Sequence, residues 1–289
     1  MVEVARKRLP SWLRRQLPQT AERTHEILSR YRLNTVCESA LCPNRTECYA
    51  RNTATFMILG DVCTRRCGFC AIQSGKPLLV EPDEPQRVAE AASELGLEYV
   101  VITSVARDEM EDEGAGHFAE TIRAVKTKIP SAEVEVLTPD FHARREWIAK
   151  IVAARPTVFN HNLETVERLQ KNVRPQASYD RSLKVIEIIK NLDPEMTTKS
   201  GLMLGLGETR EEVLEAARDL RAAGCDILTL GQYLAPGEDH LKVADYFSPE
   251  DFKKLADEIK PLGFREVFAG PYVRSSYHAG ETFLKAKVE

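Results

Sequence analysis

The chain has 289 residues and a mass of 32.5 kDa, long enough to bury a large core as one big domain or two average ones. Hydrophobic residues supply 43 % and charged residues 29 %, ordinary globular usage that excludes disordered, collagen-like and coiled-coil classes. The net charge of −4 argues against a dominating nucleic-acid affinity, and no apolar run approaches the roughly 18 residues of a membrane span, so the expectation is a soluble chain.

Residues 1–33 carry eight basic and three acidic side chains, a local excess of positive charge ahead of a more acidic remainder. A partly helical arm packed by Leu9, Trp12, Leu13 and Leu17 is the plain expectation, an electrostatic dock for an acidic partner the alternative. Of the seven cysteines, six fall between positions 37 and 70 and only Cys225 lies elsewhere. An odd count behind a charged N-terminus, MVEVARKRLPSWLRRQL, speaks against a disulfide framework and for a reducing, cytoplasmic setting. Thiolates there more often bind metal or do chemistry. Cys225, between Gly224 and an apolar run, reads as core.

From position 55 short apolar runs alternate with helical spacing. Strands are predicted at 55–61, 98–104, 132–138, 156–162, 197–206 and 226–232, with helices near 84–95, 116–128, 143–154, 163–171, 178–191, 210–223 and 249–261. Thr209 with Glu212 spells a capping box, Gly224 a C-terminal glycine, and Ser248-Pro249 an N-cap with first-turn proline. Such alternation implies right-handed βαβ units and a parallel sheet. A partial, open (β/α)6 barrel is the natural reading, although a doubly wound sheet would share the pattern. Either way function belongs at the C-terminal strand ends, where TSVARDE, NHNLET and GLGE occur.

After the first strand, DVCTRRCGFC holds Cys63, Cys67 and Cys70 in a C-x3-C-x2-C spacing. Zinc normally takes four ligands, whereas a [4Fe–4S] cubane uses one thiolate per iron, and three leave one iron open to a small molecule. A zinc site borrowing a fourth ligand stays open on spacing alone. Upstream, VCESALCPNRTEC places Cys37, Cys42 and Cys48 as C-x4-C-x5-C, again compatible with an iron–sulfur cluster or zinc.

With aromatic Phe69 before Cys70, C-x3-C-x-Φ-C resembles the signature of the radical S-adenosylmethionine enzymes. Adding C-x4-C-x5-C, GAGHF, FNHNLETV, KSGLMLGLGE and the terminal RSSY of GPYVRSSYHAG, the chain from about 30 to 280 resembles the lipoyl synthase family. The resemblance implies a partial barrel at 55–270, an N-terminal cysteine-rich extension at 1–54 and a C-terminal tail at 271–289 lying across the barrel mouth. It also implies two [4Fe–4S] clusters, S-adenosylmethionine as cofactor, and insertion of two sulfur atoms at C6 and C8 of a protein-bound octanoyl-lysine. The implied partners are octanoylated lipoyl-carrier domains and a low-potential electron donor of ferredoxin or flavodoxin type. On the same resemblance Cys63, Cys67 and Cys70 hold the first cluster, and Cys37, Cys42, Cys48 with Ser275 or Ser276 hold an auxiliary cluster that is the sulfur source. Thr103, Ser104 and Arg107 become candidate contacts for the methionine end of the cofactor, and Asn160, Asn162 and Glu164 for its ribose. Lys199 and Arg174 are candidates to neutralise a carboxylate.

The run Asp108, Glu109, Glu111, Asp112, Glu113 lacks ligand spacing and reads as a lid or solvated loop rather than a metal site. His161 and His278 qualify as ligands by residue type alone.

Overall fold

The computed structural model describes residues 9–14 and 22–288. Leu17 and most of the basic arm lie outside the described residues. Within them Leu13 is buried, while Leu9 and Trp12 are exposed.

Helix α1 (Glu22–Arg30) leads to β1 (Asn34–Thr35), α2 (Val36–Ser39) and α3 (Arg45–Ala50). Then follow β2 (Thr55–Ile58), the two-residue strands β3 (Val62–Cys63) and β4 (Gln73–Ser74), α4 (Glu84–Leu95) and β5 (Tyr99–Ser104). The alternation continues through α5 (Ala115–Lys128), β6 (Glu133–Leu137), α6 (Arg145–Ala153), β7 (Val158–Asn160), α7 (Gln170–Val173), α8 (Tyr179–Leu192), β8 (Thr197–Leu204), α9 (Arg210–Ala222) and β9 (Ile227–Gln232). The chain ends in α10 (Pro249–Ile259), β10 (Glu266–Gly270) and α11 (Ala279–Val288).

The main sheet runs β1-β2-β5-β6-β7-β8-β9-β10, parallel throughout except for antiparallel β1 on one edge. Its first and last strands do not pair, so the sheet curls into an open, partial TIM-like barrel. Strands such as β2 and β9 are buried along their whole length, as strands covered on both faces must be. Helices α4, α5, α6, α8 and α9 form the outer layer, and Phe56, Phe118, Phe159 and Phe252 are among the sealed core side chains. The expected capping box forms, with Thr209 accepting from the Glu212 amide, and the expected N-cap Ser248 proves to head a second one, accepting from the Asp251 amide.

The helix anticipated at 163–171 does not form as such. Glu164 sits at φ +68°, its amide donates to the Gly201 carbonyl (2.8 Å) and its carbonyl accepts from the Met203 amide (2.8 Å), so β8 takes the backbone that a helix would need. Only a 3-10 turn at Glu167–Leu169 and the single turn of α7 follow. Strand β10 is an addition to the six predicted strands.

Inside the barrel, on the face shared with Thr103, Leu137 and Gly201, lies a polar knot. The Lys199 ammonium donates to both Glu135 carboxylate oxygens (2.9 and 3.1 Å), joined there by the Tyr99 hydroxyl (2.7 Å) and the Asn160 amide (3.1 Å). At the strand starts α11 packs against β5 and β10, with Phe283 and Tyr99 ring centroids 6.0 Å apart.

Candidate active site

One cavity of about 480 Å³ opens at the C-terminal ends of the strands. Its lining includes Cys63, Cys67 and Cys70, Cys42 from the extension, and Ser275 and Ser276 from the tail. Six residues from three distant stretches of sequence thus share one space.

The first trio rides on the long loop after β2. Its entry turn is strained, with Leu59 at φ +70°, and is held on both sides: the Leu59 amide donates to Glu84 (2.9 Å) and its carbonyl accepts from Arg107 (2.8 Å). His117 bonds the same Glu84 oxygen (2.7 Å), and Gly114, at φ +88°, leaves room for the Leu59 side chain, where a Cβ would collide. GAGHF thus serves to seat the cysteine loop. Burial pushes the Cys67 thiol up to about 11 and the Cys70 thiol up to about 12. In the metal-free protein these sulfurs carry protons, which a soft metal must displace.

In the second trio, Cys37 lies on α2, whose N-cap Thr35 accepts from the Glu38 amide. Leu41 turns the chain at φ +51°, the Cys42 amide closes on the Cys37 carbonyl (3.1 Å), and α3 carries Cys48. Burial, then the neighbouring thiols, pushes Cys37 up to about 11 and Cys48 up to about 12. The tail is pinned to this segment: Asn44 donates to the Tyr272 carbonyl (2.7 Å), Tyr277 to Glu47 (2.9 Å), and Arg51 meets His278 and Glu281. His278 is therefore a tether. Gly231 on β9 admits the Val273 carbonyl where any Cβ would clash, which sets the tail into the mouth.

Among the candidate cofactor contacts, Thr103, Ser104, Asn162, Glu164 and Arg174 line the cavity. Arg174 binds the Asn162 and Leu163 carbonyls (both 3.1 Å), and Asn162 links the Ser275 hydroxyl (2.8 Å) to the Glu164 carboxylate (3.0 Å). Burial raises the Glu164 carboxyl above its usual range. Asn160, Lys199 and Arg107 are not brought to the lining. The first two belong to the knot beneath it, where Lys199 already neutralises Glu135, and Arg107 spans the Leu59 and Leu78 carbonyls (both 2.8 Å).

In the acidic run Glu109 and Glu111 are exposed, as a solvated loop implies, while the other three are held in ion pairs. Asp108 binds Arg65, Asp112 accepts from the Gly114 and Gly116 amides and from Lys150, and buried Glu113 pairs with His142. Ligand-type atoms of Asp108, Glu113 and His142 lie within 4.8 Å of one another, but Arg65 already supplies the cation there. Sequence reasoning missed Arg65, Thr138, Asp140 and the cavity role of His161. Arg65 stood between two singled-out cysteines and Asp108 inside a singled-out strand end, so their pairing had a signal; Asp140 had none.

The donor sets fit iron–sulfur clusters. Each trio offers three soft sulfurs with no fourth cysteine at hand, since Cys225 is sealed at the start of β9, its thiol on the Ile227 carbonyl (3.2 Å). The cavity also fits a polar small molecule. Ser104 Oγ, Thr138 Oγ1 and His161 Nε2 line it as buried atoms without a hydrogen-bond partner, a state costing about 1–3 kcal/mol each unless a ligand meets them. Because His161 Nδ1 donates to the Thr138 carbonyl (2.9 Å), Nε2 is left as an acceptor.

Similarity to known proteins agrees with this site. The Radical SAM superfamily profile matches residues 57–220. A lipoyl synthase 2 of Gloeobacter violaceus is 53 % identical, covering 96 % of this chain and 97 % of its own, and a lipoyl synthase of Thermus thermophilus is 55 % identical, covering 96 % and 87 %. Among solved structures, methylornithine synthase superimposes with a TM-score of 0.53 at 13 % identity, over 95 % of this chain and 93 % of that one, which is a likeness of fold. A curled parallel sheet with cysteine loops at its mouth and sequence identity above one half across nearly the whole length place this chain in the radical SAM superfamily and, within it, in the lipoyl synthase family.

Proposed function

We propose that this chain inserts sulfur at C6 and C8 of an octanoyl group amide-linked to a lysine of a lipoyl-carrier domain. The observation that carries the proposal is the shared cavity, with three thiols of one trio facing a member of the other and two tail serines. When bound, a [4Fe–4S] cluster with S-adenosylmethionine supplies a deoxyadenosyl radical, and a second [4Fe–4S] cluster supplies sulfur. In this reading Cys63, Cys67 and Cys70 hold the first cluster, while Cys37, Cys42, Cys48 and Ser275 or Ser276 hold the second. Thr103, Ser104, Asn162, Glu164 and Arg174 orient the cofactor, and His161 Nε2 accepts a hydrogen bond from it. Residues 1–54 and 271–289 serve the second cluster and 55–270 the first. The cysteine-bearing segment 37–48 and the tail residues 272–277, tied together over the mouth, exclude water from the reacting carbon. A serine hydroxyl is a harder and more replaceable iron ligand than a thiolate, which suits a cluster that gives up its sulfur. Seven unpaired cysteines support a reducing, cytoplasmic setting, where a ferredoxin- or flavodoxin-type donor supplies the electrons. No described helix is long and apolar enough to cross a membrane.

Anaerobically reconstituted protein should carry roughly eight irons and eight sulfides, as two cubanes require. With S-adenosylmethionine, a strong reductant and an octanoyl-lysyl peptide it should yield 5′-deoxyadenosine and a dithiolated peptide. Cys37→Ala or Cys42→Ala should abolish thiolation while deoxyadenosine still forms; intact thiolation in either variant would refute the assignment of the sulfur donor.

A further inference from the structure

Arg65 lies between the first two cysteines of the loop, yet it is only 7 % exposed. Its guanidinium is divided between two other strand ends. Nε and Nη2 donate to Asp108 after β5 (2.9 and 2.6 Å), and Nη1 pairs with Asp140 after β6 (2.8 Å). Asp140 is fully buried and shared with Arg181 of α8 (3.2 Å), and Asp108 also accepts from the Thr64 hydroxyl (2.9 Å). Burial alone would raise both carboxyls, but Arg65 together with their other hydrogen-bonding and charged neighbours outweighs it, so both are lowered. The fork therefore closes on two ionised partners.

The clamp has a geometric result at a sulfur. The Thr64 amide and hydroxyl both donate to the Ala106 carbonyl (3.1 Å each), so residues 63–65 and 106–108 run laced together. That lacing brings two backbone amides onto Cys63 Sγ, those of Arg65 (3.4 Å) and Ala106 (3.3 Å). Hydrogen bonds to a ligating sulfur withdraw electron density and make a cluster easier to reduce.

We infer that Arg65 is a positioning residue: by clamping the cysteine loop to the ends of β5 and β6 it keeps two N–H donors on the Cys63 sulfur and so sets the reduction potential of the cluster bound there. The inference rests on the reading that Cys63, Cys67 and Cys70 hold a cluster. A lysine cannot replace this arginine, because one ammonium cannot span both carboxylates with a planar fork.

The test uses the full-length Cys37→Ala/Cys42→Ala/Cys48→Ala protein, in which only the first cluster forms, as parent. Its midpoint potential is measured by redox titration followed by electron paramagnetic resonance, then compared after adding Arg65→Gln or Arg65→Lys. Both should shift the midpoint to more negative values, Arg65→Gln more, with unchanged far-ultraviolet circular dichroism. Loaded variants with the parent's midpoint would overturn the inference and leave Arg65 a purely structural clamp. Should Arg65→Gln fail to load, Arg65→Lys, which keeps the positive charge but not the planar fork, decides in the same way. A parent that forms no cluster would instead refute the reading on which the inference rests.

Discussion

His161 shows how much one side chain at the end of β7 records about its surroundings. Burial, reinforced by the Arg174 charge, holds its pKa down to about 4, against about 6.5 in an unfolded chain. Between those values the unfolded chain takes up a proton that the folded chain refuses. Stability from this residue is therefore complete above pH 6.5 and falls by about 3 kcal/mol as the pH drops towards 4. Glu164, raised by burial, tilts the slope the other way above its ordinary value, and Asp108 and Asp140, lowered, act below theirs. The clean readout is a difference. Urea midpoints of the metal-free protein and of His161→Asn should converge as the pH falls from 7 to 4.5; a constant gap would mean that His161 is not kept neutral by the fold.

Element by element, the strands were legible because parallel strands covered on both sides appear as short apolar runs, and the caps because Thr209 and Ser248 use local chemistry. Segment 163–171 misled because its spacing is helical while its backbone is bonded into β8. Strand β10 escaped because it lies at a sheet edge and is only partly buried, which blurs its pattern. The cysteine trios stood out by their spacing, which by itself left zinc open beside an iron–sulfur cluster. Asn160 and Lys199 were over-read, because polar side chains at strand ends suggest a ligand and nothing in sequence reveals that they satisfy Glu135. Arg65 was passed over because its partners stand 43 and 75 positions further on. Helix α3 is a case where sequence propensity hardly matters. Its six residues are too few to persist alone, so packing on α1 through buried Tyr49 and docking to the tail sustain them. Tyr277→Phe combined with Arg51→Ala should speed amide hydrogen exchange across residues 44–51 roughly tenfold, as one or two lost hydrogen bonds imply, with β5–β8 unchanged. Unaltered exchange in 44–51 would show that the extension holds itself.

For the molecule as a whole, the polar knot ties four strands of the curled sheet at its centre. Lys199→Met leaves the Glu135 carboxylate buried without its cation and should cost about 3–5 kcal/mol. Adding Glu135→Gln should recover part of that loss, since an amide oxygen still accepts from Tyr99 and Asn160. Denaturant midpoints of the two variants decide it; equal midpoints would mean that the charge is not what matters there. The bonds that fasten the extension to the tail, Asn44 to Tyr272 and Tyr277 to Glu47, bridge 228 and 230 positions. Closing so long a loop is entropically slow. The three cysteines of the extension are therefore enclosed late in folding. Until that closure they stay open to whatever delivers iron and sulfide, so slow loop closure holds the door ajar for loading before the fold shuts it.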